Sequence, residues 1–320
     1  MASKSNIANQ SCIEPLRAST RLRKALQDPS QLPLVCPGVY DGLTARLTLS
    51  HGFKAMYMTG AGTSMSRIGM ADLGIATMNE MADTAAMISQ LDPSVPVIAD
   101  ADAGYGAPLN VARTVRAYIR SGLAGFHLED QVVNKKCGHL AGKQLVDVRE
   151  YISRIRAAVK VRKELGSDIV IIARTDALAV TNFDDAIGRL RAAVDAGADV
   201  AFLEAISTKE EAKKVCDIFN PMGVPVMYGM VQGSHSPRIT VSEAKEMGIS
   251  IIVYAALCLR PAIKGIETAL AILKEQGDCE HDSDAPSPRY MFEKCGLKEL
   301  QKFDDEIKAE VDELLGDIGP

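Results

Sequence analysis

Tryptophan is absent from the 320-residue chain and aromatic residues make up only 5% of it, which leaves little from which to build a base-stacking surface. An excess of charge of one sign is also missing. The formal net charge is -5 and the sequence pI is near 5.6, so neither nucleic acid nor an anionic membrane is an expected partner. No apolar run reaches the roughly 18 residues of a membrane span. The opening MASKSNIANQ lacks the apolar core of a secretory signal, and its few acids before Glu14 give it a faint likeness to a transit peptide. A cytoplasmic location is expected, with the mitochondrion as the alternative. The seven cysteines are odd in number and none are spaced C-x-x-C, which argues against a disulfide framework or a thiolate zinc site. No G-x-G-x-x-G follows an apolar run, so the phosphate-binding first turn of a doubly wound dinucleotide fold is missing too.

What remains is the composition of an ordinary soluble globular protein, 47% hydrophobic and 24% charged. Eight short, β-rich apolar runs recur: LVCPGVYD (34–41), FKAMYMTG (53–60), PVIADAD (96–102), GFHLED (125–130), DIVIIARTD (168–176), DVAFLEA (199–205), VPVMYGM (224–230) and ISIIVYA (249–255). Several are nearly continuous in apolar residues, as strands covered on both faces should be. Amphipathic stretches separate them, among them 78–91, 108–122, 148–166 and 183–198, with Pro108 suited to a first helical turn and Gly122, Gly166 and Gly197 to helix ends. Strict alternation repeated eight times predicts an α/β fold, a (β/α)8 TIM-type barrel. Three segments are expected: an irregular to helical N-terminal segment (1–33) outside the barrel, the catalytic barrel (34–275), and a Pro/Ser-bearing linker with C-terminal helices (276–320) that pack on a neighbour or on the barrel's outside.

Active-site groups of such barrels gather at the C-terminal strand ends. Here those ends carry Asp100 and Asp102, Glu129, Arg174, Glu204 and, on the seventh strand, Gly229. Asp100 and Asp102, two apart, share a face if the strand stays regular. With Glu129 they form an oxygen-only cluster suited to Mg2+, or to Mn2+, with some acids reaching the ion through water. Arg174 offers a bidentate grip on a carboxylate. An ion beside a guanidinium describes a pocket for a small 2-oxo or 2-hydroxy acid. The fourth strand leads into NKKCGHLAGK (134–143), where two lysines, a cysteine and a histidine lie close together with Gly138 and Gly142. This reads as a mobile lid whose lysines keep it solvated and whose positive charge lowers the pKa of Cys137, making the thiol a proton shuttle. A nucleophilic Cys137–His139 pair is the second reading, with no orienting carboxylate evident.

KKCGH (135–139), ADADAGYG (99–106), HLEDQ (127–131), ARTDA (173–177) and FLEA (202–205) together resemble the isocitrate lyase / phosphoenolpyruvate mutase superfamily, in the family's order, from about residue 34 to 275. The resemblance implies a barrel whose last helix is exchanged with a neighbouring subunit, a homotetramer, and magnesium as cofactor. The cysteine-bearing loop resembles the carbon–carbon lyases, closest to the 2-methylisocitrate lyase, dimethylmalate lyase and oxaloacetate acetylhydrolase branch. It implies that Asp100, Asp102 and Glu129 hold magnesium directly or through water, with Asp72 nearby. Cys137 is then the catalytic acid/base, with Arg174, Glu204 and His139 also catalytic. Tyr57, Thr59, Gly60, Ala61 and Gly138 line the substrate. Gly229 stands where the family often has Asn; Ser234 and Ser236, on the following loop, are expected to compensate. The implied activity is cleavage of a small 2-hydroxy or 2-oxo di- or tricarboxylate; the alternatives are a phosphonate C–P bond enzyme or an inactive binding member.

Overall fold

The computed structural model describes residues 16–279 and 286–316. The leader reading of the first ten residues, Cys12, and 280–285 of the expected linker lie outside the described residues. Eight parallel strands close a barrel: β1 (Leu34–Val39), β2 (Met56–Met58), β3 (Val97–Asp100), β4 (Gly125–Glu129), β5 (Val170–Thr175), β6 (Val200–Leu203), β7 (Val226–Gly229) and β8 (Ile251–Tyr254). Each pairs with the next, and β8 returns to β1 through Leu34 opposite Ile251. All eight expected runs are strands, trimmed at their polar ends.

The described helices run in chain order as α1 (Ala18–Gln27), α2 (Gly42–Ser50), α3 (Gly60–Thr63), α4 (Met78–Leu91), α5 (Pro108–Arg120) and α6 (Val148–Glu164). They continue as α7 (Phe183–Asp195), α8 (Lys209–Phe219), α9 (Val241–Met247), α10 (Leu259–Gln276), α11 (Pro288–Lys294) and α12 (Leu297–Leu315). Local chemistry sets their ends. Thr77 and Glu80 form a capping box at the start of α4. Pro108 opens α5, and Gly122, at φ 81°, follows its end in the left-handed conformation that favours glycine.

Side-chain alternation along the strands divides the core in two. Ile171 and Ala173 of β5 face the surrounding helices, with Phe126 and Leu128 of β4. Val170 and Ile172 face the barrel interior with Ile98, Val200, Phe202 and Val253. The next inward position on β5 is Arg174, and on β3 it is Asp100. Burial of the lower positions therefore dictates which side chains emerge inside the rim.

α1 is not merely outside the barrel, as the sequence led us to expect. Its Leu22 is fully buried with the interior cluster and plugs the floor. Ser19 and Thr20 donate to the Asp168 carboxylate, and Arg23 pairs with Asp199 at 3.0 Å. In contrast, α10 buries none of its residues. α11 packs near α2, and the turn into α12 places Gly296 against Arg46.

Replacing Leu22 with Ala is expected to destabilise the fold by about 2–5 kcal/mol, the usual cost of a cavity in a packed core. Urea unfolding should show a lower midpoint; an unchanged midpoint would contradict the role of α1 as the barrel floor.

Candidate active site

The rim of the barrel is built by the strands' own alternation and then by sharp local turns. β3 ends at Asp100, and Asp102 lies beyond it with φ 46°. The two acids are thus joined by a turn and not by the pleat of a regular strand, contrary to expectation: the backbone N–H of Asp102 donates to Asp100 Oδ1 at 2.8 Å. A histidine is also closer to the acids than the oxygen-only reading allowed. His127 of β4 is fully buried, its Nδ1 3.6 Å from Asp100 Oδ1 and its Nε2 2.8 Å from the Tyr57 hydroxyl. Burial pushes the His127 imidazole down to about 4.

Lys135 enters this cluster from the lid. Its ammonium stands 2.6 Å from both Asp72 Oδ1 and Asp102 Oδ1, and its side chain is 1% exposed. Even so, the acids are not fully compensated. Burial, with Asp100 and Asp72 alongside, pushes Asp102 up to about 7 in spite of Lys135. Burial likewise lifts the Glu129 carboxyl well above its usual range, against the pull of Arg174 and Lys135. Both Glu129 oxygens are buried without a hydrogen-bond donor, although Arg174 Nε stands 3.3 Å from Oε2. An orphaned buried carboxylate among further acids is the environment a hard cation relieves. Among the described residues no three His, Cys, Asp or Glu side chains converge closely enough to ligate an ion directly. An ion relieving Glu129 would therefore have to keep several of its waters, as magnesium does.

Arg174 is held from several sides. Its Nε and Nη2 donate to the two oxygens of Asp176 at 3.0 and 3.2 Å, and its Nε is 3.9 Å from Glu204 Oε2. Above it lies the lid, 131–147, whose stem closes through an antiparallel bridge between Gln131 and Leu145. The lid is packed down. A Cβ on Gly138 would fall 2.6 Å from Glu204 Cγ and 2.7 Å from Arg174 Nη2, so only glycine permits this approach. His139 Nε2 is 3.2 Å from Glu204 Oε1, which supplies the orienting carboxylate that the sequence did not reveal. The Cys137 backbone N–H donates to the Asp72 carbonyl at 3.1 Å.

Two expectations about this loop are corrected. Lys135 and Lys143 are buried, not solvated. The Cys137 thiol is pushed up from its usual pKa, not down, because burial outweighs the nearby cations. At neutral pH Cys137 therefore carries its proton.

The cavity beneath the lid, of about 100 Å³, is lined by the polar or small residues Tyr57, Thr59, Ala61, Asp72, Asp100, Cys137, Gly138, His139, Arg174, Glu204 and Gly229 and by the apolar residues Phe202, Val231, Val253, Ala255, Ala256 and Leu259. Asp102 and Glu129 stand behind this lining. Gly60 lies against Asp100, 2.3 Å from its Oδ2 to a Cβ built on the glycine. At Gly229 a Cβ would meet Phe202 Cζ at 3.2 Å. Ser234 and Ser236 are not part of the lining. The Ser234 hydroxyl donates to the Val231 carbonyl at 2.8 Å and accepts from the Ser236 backbone N–H at 3.1 Å, so it closes its own turn. A larger cleft of about 540 Å³ beside α1 lies at the opposite end of the barrel and holds no comparable cluster of reactive groups.

Lys135, Lys143, His127 and Phe202 belong to this centre without having been assigned a site role in the sequence, and Asp176 had been placed only at the end of the fifth strand. Strand alternation was the available signal for His127, two before Glu129, and for Phe202, two before Glu204. The two lysines had been read as solvating the lid, because their acidic partners are distant in the chain.

A family model described as phosphoenolpyruvate phosphomutase matches residues 22–274. The chain is 36% identical over 303 residues to 2-methylisocitrate lyase of Aeropyrum pernix, covering 94% of this chain and 95% of that one. A solved structure of 2,3-dimethylmalate lyase superposes with a TM-score of 0.87 at 51% identity, over 91% of this chain and 96% of that one. Oxaloacetate acetylhydrolase in complex with 3,3-difluorooxalacetate superposes with a TM-score of 0.88 at 47% identity, over 92% and 98%. With a closed eight-stranded barrel and this span of matched sequence, the chain belongs to the phosphoenolpyruvate phosphomutase family, within the PEP mutase/isocitrate lyase superfamily.

Proposed function

We propose that this protein is a magnesium-dependent carbon–carbon lyase that cleaves a small 2-hydroxy or 2-oxo acid of the 2-methylisocitrate, 2,3-dimethylmalate or oxaloacetate type. The observation that carries the reading is the placement of Cys137, on the lid, against one cavity with Arg174, Asp72 and Asp100. The named activities of the similar proteins support the same class of chemistry.

Asp100, Asp102, Glu129 and Asp72 would hold the magnesium ion, several of them through water. When bound, it supplies Lewis-acid polarisation of the substrate's 2-oxygen. Arg174, kept in place by Asp176, binds the adjoining carboxylate. Thr59 and Ala61 line the pocket beside it, and Gly60 lies against Asp100. In a 2-hydroxy acid, a base removes the hydroxyl proton, the C2–C3 bond breaks and its electron pair remains on C3 as an enolate-type carbanion. The C2–O bond becomes the carbonyl of the oxo-acid product. Cys137 Sγ gives its proton to C3, and the elevated thiol pKa keeps that proton available. With oxaloacetate the hydrated keto group plays the alcohol's part, and the products are oxalate and acetate. Gly138 allows the lid to seat, and His139, oriented by Glu204, helps exclude water that would quench the carbanion.

The protein is also proposed to work as an oligomer with exchanged helices, most simply a homotetramer. α10 presents Ile263, Ile266, Leu270 and Leu273 to solvent, at 45–60% exposure. Beside it an apolar groove of about 690 Å³ opens between α2 and the start of α10, lined by Leu43, Leu47 and Met65. Apolar surface on this scale marks an interface.

Three outcomes are expected. The purified protein should turn over at least one of 2-methylisocitrate, 2,3-dimethylmalate and oxaloacetate with magnesium, and EDTA should abolish that turnover; inactivity on all three would remove these substrates. Cys137→Ser should lower kcat by about 10²–10⁴-fold, the range for a general acid, with a much smaller change in KM; an unchanged kcat would exclude the thiol from proton transfer. Sedimentation should give a multiple of the 34.3 kDa chain mass; a monomer at micromolar concentration would rule out the exchange.

A further inference from the structure

Lys143 is a buried lid cation whose partners differ from the acids that Lys135 holds. Its side chain is 3% exposed, and its ammonium reaches two groups at once. One is the backbone carbonyl of Gly138, at the tip of the lid, to which it donates a hydrogen bond. The other is Asp176 Oδ1, at 3.3 Å. Asp176 is itself fully buried and already accepts two hydrogen bonds from Arg174.

The backbone beneath Asp176 is fixed independently. Its N–H donates to Asp130 Oδ1 at 3.0 Å, and Asp130 Oδ2 accepts from Thr175 Oγ1 at 2.5 Å. Asp176 is thus a rigid anchor on the barrel, and Lys143 is the cation that fastens the lid to it.

We infer that Lys143 is a positioning residue: by bridging the Gly138 carbonyl to Asp176, it clamps the lid in the closed geometry that places Cys137 over the cavity, and it ties that closure to the carboxylate that orients Arg174. This rests on the lyase reading for its consequence in turnover, but not for the clamp itself. Without the ammonium, the Gly138 carbonyl is buried with no donor, and the closed lid loses its attachment to Asp176, just after β5. Water or an open lid then satisfies the carbonyl, and the neighbouring thiol leaves its place. Asp176 keeps Arg174 as its partner, so the damage stays local.

The test is Lys143→Met, which keeps the aliphatic stem and removes the charge, with Lys143→Arg, which restores a cation. Hydrogen–deuterium exchange is followed in the lid, without ligand and with magnesium and oxalate as the probe. The Cys137 amide, bonded to the Asp72 carbonyl, and the Leu140 amide, bonded to the Cys137 carbonyl, are the reporters. Lys143→Met should exchange these amides about tenfold faster or more, the scale of one lost buried hydrogen bond, with the barrel strands protected as in the parent. Lys143→Arg should recover at least half of the lost protection. kcat on whichever acid is turned over should fall at least tenfold in Lys143→Met. Exchange unchanged in Lys143→Met, or equally fast in both variants, would overturn the clamp. Turnover of none of the acids by the parent would count against the lyase reading alone, since exchange is measured without turnover.

Discussion

Carboxylates outnumber cations inside the barrel rim, and the rest of the site follows from that imbalance. Asp100, Asp102, Glu129, Asp176 and Glu204 are all buried, while Lys135, Lys143 and Arg174 are the buried cations that face them. Each acid taken from water is costly unless paired. Lys135 is shared by Asp72 and Asp102, and Arg174 by Asp176 and Glu129. Glu129 remains without a hydrogen-bond donor. On the proposed reading, a divalent ion would offset the surplus acids, and the substrate's carboxylate would meet the guanidinium they hold in place.

The barrel explains why these groups meet. Val170 and Ile172 on β5 and Ile98 on β3 point inward and pack the floor with Leu22, so the next inward positions must be Arg174 and Asp100. The same alternation that makes a core makes a rim. For this reason the strands, the helices between them and the acids at strand ends were readable from sequence. Their signal is periodic and local, and the fold converts it into proximity.

What escaped the sequence depended on partners distant in the chain. The lid's lysines read as solvated because two adjacent lysines beside glycine have no local counter-charge. In the structure Lys135 finds Asp72 and Asp102, and Lys143 finds Asp176. The Cys137 thiol read as acidified because its neighbours in sequence are cations, yet its burial dominates. The turn that sets Asp102 at φ 46° was equally hidden, since only its positive dihedral separates it from a continuing strand. Ser234 looked free to touch substrate until its hydroxyl was found closing the turn around Val231. The burial of Lys135, Lys143 and Cys137 turns an exposed, reactive-looking loop into a closed cover over the site.

The central claim is that a divalent ion belongs among the rim acids. Crystals grown with Mn2+ and oxalate, with data collected at the manganese absorption edge, test it most directly. The account predicts one strong anomalous peak between Asp100 and Glu129, with oxalate between it and Arg174. A rim without an anomalous peak, or manganese bound only elsewhere on the molecule, would contradict it.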